Sequence, residues 1–395
     1  MQRFTRLAVA TATALAAVAV SAPTVSAVST TPATSSAAAV RAMDDAHPHG
    51  HHAVFVQTDN LSGNQVIAYH RSDNGQLTQA GSYDTGGLGG MLADSVVDHL
   101  ASQGSLTYDE RHALLYAVNA GSNTVTVFAV DGDHLERRQV ISSGGQFPVS
   151  VAVHGDVVYV LNALDGGSIQ GYRVHEGHLD LKAGWNRCLG LDPTAVPQFT
   201  NTPGQVGFTA NGTQLVVTTK ANGNNLDVFA IDRDGAPSAD PVVTNLPGAV
   251  PFGFVPAGHG GLFLAQAGPN ALSTVQLHPD GTATQQGFAA TGQSATCWVV
   301  KVGDLVYVSN AGSSTLSGFR ASDHGATLTP LGTAATHPGT VDTAVSDTKA
   351  GRYLYAQTGG QGIVDEFTVN DDGSLTGIGS VLVPDAVGGE GIVAF

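Results

Sequence analysis

The chain has 395 residues, among them 50 glycines, with 42% hydrophobic and only 12% charged residues. Its formal charge is −16. An acidic field of this kind, with no basic cluster to offset it, repels nucleic acid and anionic lipid and so excludes them as partners. Glycine-rich, charge-poor composition fits many turns and few salt-bridged helix faces, and large closed β folds run as one unit at this length.

At the N-terminus Arg3 and Arg6 precede Leu7 to Val20, an apolar run of Ala, Val, Leu and Thr, and Val25-Ser26-Ala27 offers small residues for cleavage. This pattern predicts a signal peptide over residues 1–27 and an exported, extracellular protein. A membrane anchor is the alternative, against which the run's shortness argues. Loss of residues 1–27 removes two arginines and no acid, taking the formal charge to −18. Residues 28–52 are rich in small and polar side chains and read as a flexible linker. It ends in a histidine cluster, His47, His49, His51 and His52. Clustered imidazoles can hold Cu(II), Ni(II) or Zn(II), and a solvated linker is the plainer account.

From residue 53 onward one pattern recurs: an apolar strand ending in a polar residue, a small-residue turn, an alternating strand, then a glycine turn. Leu114 to Phe128, LLYAVNAGSNTVTVF, is the best copy. The polar residue ending the strand falls at Gln57, Asn119, Asn162, Thr219, Gln266, Asn310 and Gln357, with gaps of 62, 43, 57, 47, 44 and 47. Repeats of this length built from about four short strands define propeller blades. Seven anchors over residues 53–395 predict an all-β, seven-bladed β-propeller. Inner strands are expected before the anchors, at Gln103–Tyr108, Pro148–Val153, Gln205–Thr209 and Thr296–Val300. The first repeat lacks one, and Gly388–Phe395 reads as an inner strand with nothing after it. The C-terminal strand is therefore expected to complete the first blade and close the ring. The two long gaps hold inserts at residues 86–101 and 187–202. Both lie between an outer and an inner strand, where loops reach the channel mouth, so ligand contacts are expected there.

The stretches PGQVGFTANGTQLVVTTKANGNNLDVF, from Pro203, and SQGSLTYDERHALLYAVNAGSNTVTVF, from Ser102, resemble secreted members of the lactonase, seven-bladed β-propeller family. That family includes propeller-type 6-phosphogluconolactonase and is similar to 3-carboxymuconate cyclase. The AVNAGSNTVTVF stretch also resembles YVTN-type repeats of surface proteins. The resemblance covers residues 53–395 and implies a lactonase-like hydrolase. Bacterial 6-phosphogluconolactonases of this type tend to carry His and Arg in G-P-R-H and C-H-S motifs. The corresponding stretches here, Thr202–Gln205, Phe147–Ser150 and Pro251–Gly253, contain neither.

Lactone hydrolysis needs an activated water and donors for the developing oxyanion. Asn119, Asn162, Lys220, Gln266, Asn310 and Gln357 are expected on the mouth face, with Gln103, Gln205, Asp342 and Glu390 nearer the channel. Glu390 or Asp342 is the candidate base; the amides are candidate substrate ligands, or else bond the blade turns. Lys220 and Arg187 are the only basic residues expected at the mouth, thin equipment for a phosphorylated substrate. Cys188 and Cys297 are a candidate disulfide or two separate thiols. No nucleophile elbow, phosphate-binding loop or dinucleotide fingerprint stands in a fitting context, so no cofactor is expected. Two functional readings follow. One is a secreted lactonase acting on a small sugar lactone or related carboxylated ring. The other is a non-catalytic secreted or cell-surface propeller holding a small molecule or glycan. A monomer is expected in either case.

Overall fold

The computed structural model describes residues 52–395; the expected signal peptide and all of the linker except His52 lie outside the described residues. Seven four-stranded antiparallel sheets follow one another along the chain. Their innermost strands are Ile392–Ala394, Leu106–Asp109, Pro148–His154, Gln205–Phe208, Pro251–Gly258, Thr296–Val302 and Thr340–Thr348, for blades 1 to 7. Each innermost strand touches the next, and the last returns to the first, so the sheets form a closed seven-bladed propeller.

Within a blade the burial pattern follows strand position. The second strands, such as Leu114–Asn119 and Leu305–Asn310, are buried along their whole length, because both faces pack against neighbouring blades. Outermost strands such as His134–Ser142 are largely exposed. In five of the seven blades the pairing between the third and outermost strands slips by one residue, as between Val127 and Phe128, and in blade 3 it shifts further, between Gln170 and Tyr172. Such bulges increase local twist.

Tyrosines on the second strands staple blades together. Tyr159, Tyr307 and Tyr355 each donate to the carbonyl of a turn glycine in the following blade: Gly235 at 2.7 Å, Gly373 at 2.8 Å and Gly75 at 2.7 Å. All three glycines have φ between +86° and +88°, a region open to glycine without the Cβ penalty.

The C-terminal strand closes the ring as expected. Val54, Phe55 and Val56 pair with Ala394, Val393 and Ile392. Gln57 N donates to Gly391 O at 2.8 Å. Phe395 stacks on Tyr108 of blade 2, with ring centroids 4.2 Å apart. Blade 1 is thus built from both ends of the propeller segment.

One inner-strand expectation needs correction. The inner strand of blade 2 begins at Leu106 rather than Gln103. Residues 98–105 instead turn across the channel, because their polar groups find partners on blades 3, 4 and 6 that a regular strand could not reach.

Candidate functional site: a sealed channel with buried carboxyl groups

The crossing segment stops the channel on the face where the inner strands begin. Gln103 spans to blade 6: its Nε2 donates to Val299 O at 2.9 Å and its Oε1 accepts from Val299 N at 3.0 Å. Trp298 Nε1 donates to Ser102 O at 2.6 Å. Ser150 Oγ donates to Gln103 O at 2.7 Å, and Gln103 N donates to Gly204 O at 3.1 Å. These bonds satisfy backbone groups that would otherwise stand unpaired in a dry channel.

Four carboxyl groups are buried around this plug: Asp59, Asp98, Asp342 and Glu390. Glu390, just before the closing strand, accepts from Gly104 N at 3.2 Å, and its Oε2 lies 3.3 Å from Ser102 Oγ. Its own N donates to Asp59 Oδ2 at 3.0 Å. Asp342 accepts from Thr343 N at 2.9 Å, from Ile392 N, and from the Glu390 side chain. Burial, followed by the charges of Asp342, Asp98 and Asp59, holds Glu390 well above the usual carboxylate range. Burial also lifts Asp342 to about 7, against the hydrogen bonds it accepts. Asp59 is lifted to about 8, mainly by burial. In a low dielectric the neutral acid is favoured and neighbouring like charges reinforce that preference.

Below the plug the channel is open. A cavity of about 440 Å³ is lined by Gln103, Gln205, Asp342, Thr343, Thr107 and His154, among others. Its wall continues along the later residues of the inner strands, Val153, Phe208 and Pro256. The cavity therefore lies toward the face opposite the two long inserts. The inserts, expected to line an open mouth, close it. Gln205 Oε1 accepts from Phe254 N at 2.6 Å, leaving the amide NH2 as its available donor. Thr343 Oγ1 is buried without a hydrogen-bond partner among the described residues.

The structure brings Gln103, Gln205, Asp342 and Glu390 together and disperses the other sequence candidates. Asn119 spends its Nδ2 on Thr124 and Thr126 and its Oδ1 on Asn64. Asn310 bonds Thr315, Ser317 and Thr296. Asn162 donates to Ser143 O, Gln266 to Ser273 and Gln285, and Gln357 to Gln57 O. These five amides hold blade turns and strand ends. Arg187 is not at a channel mouth: it lies on an outermost strand and donates to the carbonyls of Ser238, Pro237, Gly184 and Asn186.

Lys220 is fully buried and donates to Ala101 O and Phe199 O, both at 2.6 Å, and to Thr202 Oγ1 at 3.1 Å. Thr202 passes its own proton to Gln198 O. Three acceptors require three N–H donors, the geometry of an ammonium. Burial pulls Lys220 down to about 7, with the Asp98 charge opposing. It clamps the two inserts and is withdrawn from ligand contact.

Cys188 is exposed at the end of an outermost strand, whereas Cys297 is buried on an inner strand, and both are free. The candidate disulfide is corrected on that ground. Of the histidine cluster only His52 is described; its Nδ1 faces Arg71 at 3.3 Å. Sequence reasoning missed Asp59, Asp98, Ser102 and Thr343. Asp59 follows an anchor by two residues and Asp98 sits in an insert, but no motif distinguishes either.

Fold and site define a seven-bladed β-propeller with a plugged axial channel. No protein-family model matches the chain, and no curated protein matches it. Solved structures do. One is a 6-phosphogluconolactonase candidate from Bacteroides fragilis, 17% identical with a TM-score of 0.65, covering 86% of this chain and 96% of that one. A periplasmic gluconolactonase from Pseudomonas aeruginosa is 14% identical with a TM-score of 0.66, over 86% and 98%. Virginiamycin B lyase from Staphylococcus aureus is 13% identical with a TM-score of 0.53, over 75% and 89%. At these identities the likeness establishes the shared propeller. No helix among the described residues is long and apolar enough to cross a membrane.

Proposed function

We propose that the protein is an exported lactonase that hydrolyses a small neutral lactone in the axial cavity. The observation that carries this reading is Asp342, hydrogen-bonded to the Glu390 side chain behind it, in the wall of the axial cavity. A carboxylate near neutrality is suited to general base work, because it is ionised in part and still a useful proton acceptor. In the proposed reaction Asp342 takes a proton from water as the water oxygen bonds to the lactone carbonyl carbon. The Gln205 NH2 donates to the carbonyl oxygen as charge develops there. The ring C–O bond then breaks, the leaving alkoxide recovers the proton from Asp342, and a hydroxy acid results. Glu390, whose burial favours its neutral form, positions Asp342 through their hydrogen bond.

The described lining of the cavity contains no Lys or Arg, so a phosphorylated lactone would bury charge without a partner. This favours a neutral sugar lactone. The gluconolactonase and 6-phosphogluconolactonase names of the structural neighbours support lactone chemistry on this fold, although fold alone does not fix function. The exported state rests on the N-terminal pattern.

The test is turnover of a panel of neutral and phosphorylated lactones by the wild type, Asp342→Asn and Glu390→Gln. Hydrolysis of a neutral lactone that falls at least about 100-fold in Asp342→Asn supports the reading, a loss within the usual range for one acid–base group. Equal background rates for all three proteins overturn it. Ligand retention in the cavity without turnover would favour the binding propeller.

A further inference from the structure

The two inserts are the main departures from the blade period, and they converge on one place. Insert residues Val97, Ala101 and Phe199, with Phe252, Trp298 and Ala311 from blades 5 and 6, line a cavity of about 280 Å³. It stands on the insert side of the plug, whereas Asp342 faces the axial cavity. The walls are fixed by bonds already described: Lys220 holds Ala101 O and Phe199 O, and Trp298 holds Ser102 O. A direct bond joins the inserts, from Ala93 N to Gln198 Oε1 at 2.9 Å. Phe252 and Trp298 meet edge to face with centroids 5.0 Å apart.

The only charged residue in the described lining, Asp98, spends its oxygens on Leu100 N at 2.9 Å and Ser102 N at 3.0 Å. Polar atoms are thus turned inward and apolar ones line the space. Neither insert is needed to complete a four-stranded blade, yet each supplies a wall and is held there by a buried ammonium. Val96, at the lip, is 80% exposed. Concave, rigid, largely apolar spaces are the usual form of small-molecule sites.

We propose that this cavity is a preformed binding site for a neutral aromatic or compact apolar group of a small molecule, separate from the axial cavity. Anions are disfavoured because the chain is strongly acidic and Asp98 lies in the wall.

Trp298 makes the site directly readable. The chain has two tryptophans, and the other, Trp185, lies on an outermost strand. In a Trp185→Phe background, bromobenzene bound in the cavity should quench Trp298 emission saturably through its heavy atom. Toluene, which lacks that atom, should restore the emission by competition. 4-Bromobenzoate should bind at least about tenfold more weakly, as should bromobenzene in an Ala311→Phe variant that fills the space, a difference of about 1.4 kcal/mol. Quenching linear in concentration and insensitive to toluene would overturn the proposal, as would 4-bromobenzoate binding equal to that of bromobenzene. Toluene competition decides the matter even if Ala311→Phe misfolds, and no lactone turnover enters the readout.

Discussion

Replacing Gln103 by leucine should show how much the plug contributes to the propeller. The side chain is buried and its carboxamide satisfies both the N–H and the C=O of Val299, itself fully buried on the inner strand of blade 6. Leucine has similar bulk but leaves two buried backbone groups unpaired. Each costs roughly 1–3 kcal/mol when no water reaches it, so the expected loss is about 2–5 kcal/mol. Chemical denaturation followed by circular dichroism and tryptophan emission measures it, as a lower midpoint at unchanged slope. Gly253 supplies an internal check. A Cβ there would fall 2.0 Å from Gln103 Oε1 and 2.9 Å from Cys297 O. Gly253→Ala should therefore displace the same amide, and the double variant should lose less than the sum of the single losses, by about 1 kcal/mol or more. A loss below about 0.5 kcal/mol for Gln103→Leu would refute the claim that this amide bridge ties blade 6 to the plug.

Three other outcomes are expected. Asp59, Asp342 and Asp98, whose ordinary value is 3.8, are lifted to about 8, 7 and 6. The folded state keeps protons that the unfolded chain releases, so their contribution is fully present below about pH 4 and is lost as pH rises toward 8. Denaturation midpoints should fall between about pH 5 and pH 8, and Asp59→Asn should flatten that decline. Ile392→Ala in the nearly buried closing strand should cost about 2–4 kcal/mol, and deletion of residues 388–395 should abolish cooperative unfolding; a truncated protein melting like the wild type would contradict ring closure. Thiol titration without reductant should find Cys188 reactive in the native protein and Cys297 only after denaturation, since burial pushes the Cys297 thiol up to about 12; no reactive thiol in the unfolded chain would restore the disulfide.

The blade count, the ring and its closure were legible in the sequence because they are local and periodic. A polar residue after each buried strand and a glycine at each sharp turn recur every 43 to 62 residues. The first repeat lacks an inner strand and the chain ends in one, which leaves one closed pairing that satisfies both edges. Gln205 and Asp342 were legible as channel residues for the same reason, since position near an inner strand's start follows from the repeat, whereas Gln103 reaches the channel through the plug rather than from a strand. What tertiary structure decided is the use each polar group makes of its neighbours. An amide at the end of Leu114–Asn119 reads alike whether it faces a ligand or, as Asn119 does, a neighbouring asparagine and threonine. The buried ammonium of Lys220 and the acid group around Glu390 join residues more than 100 positions apart. Their ionisation depends on burial and on one another's charge, and neither quantity exists until the ring has closed around them.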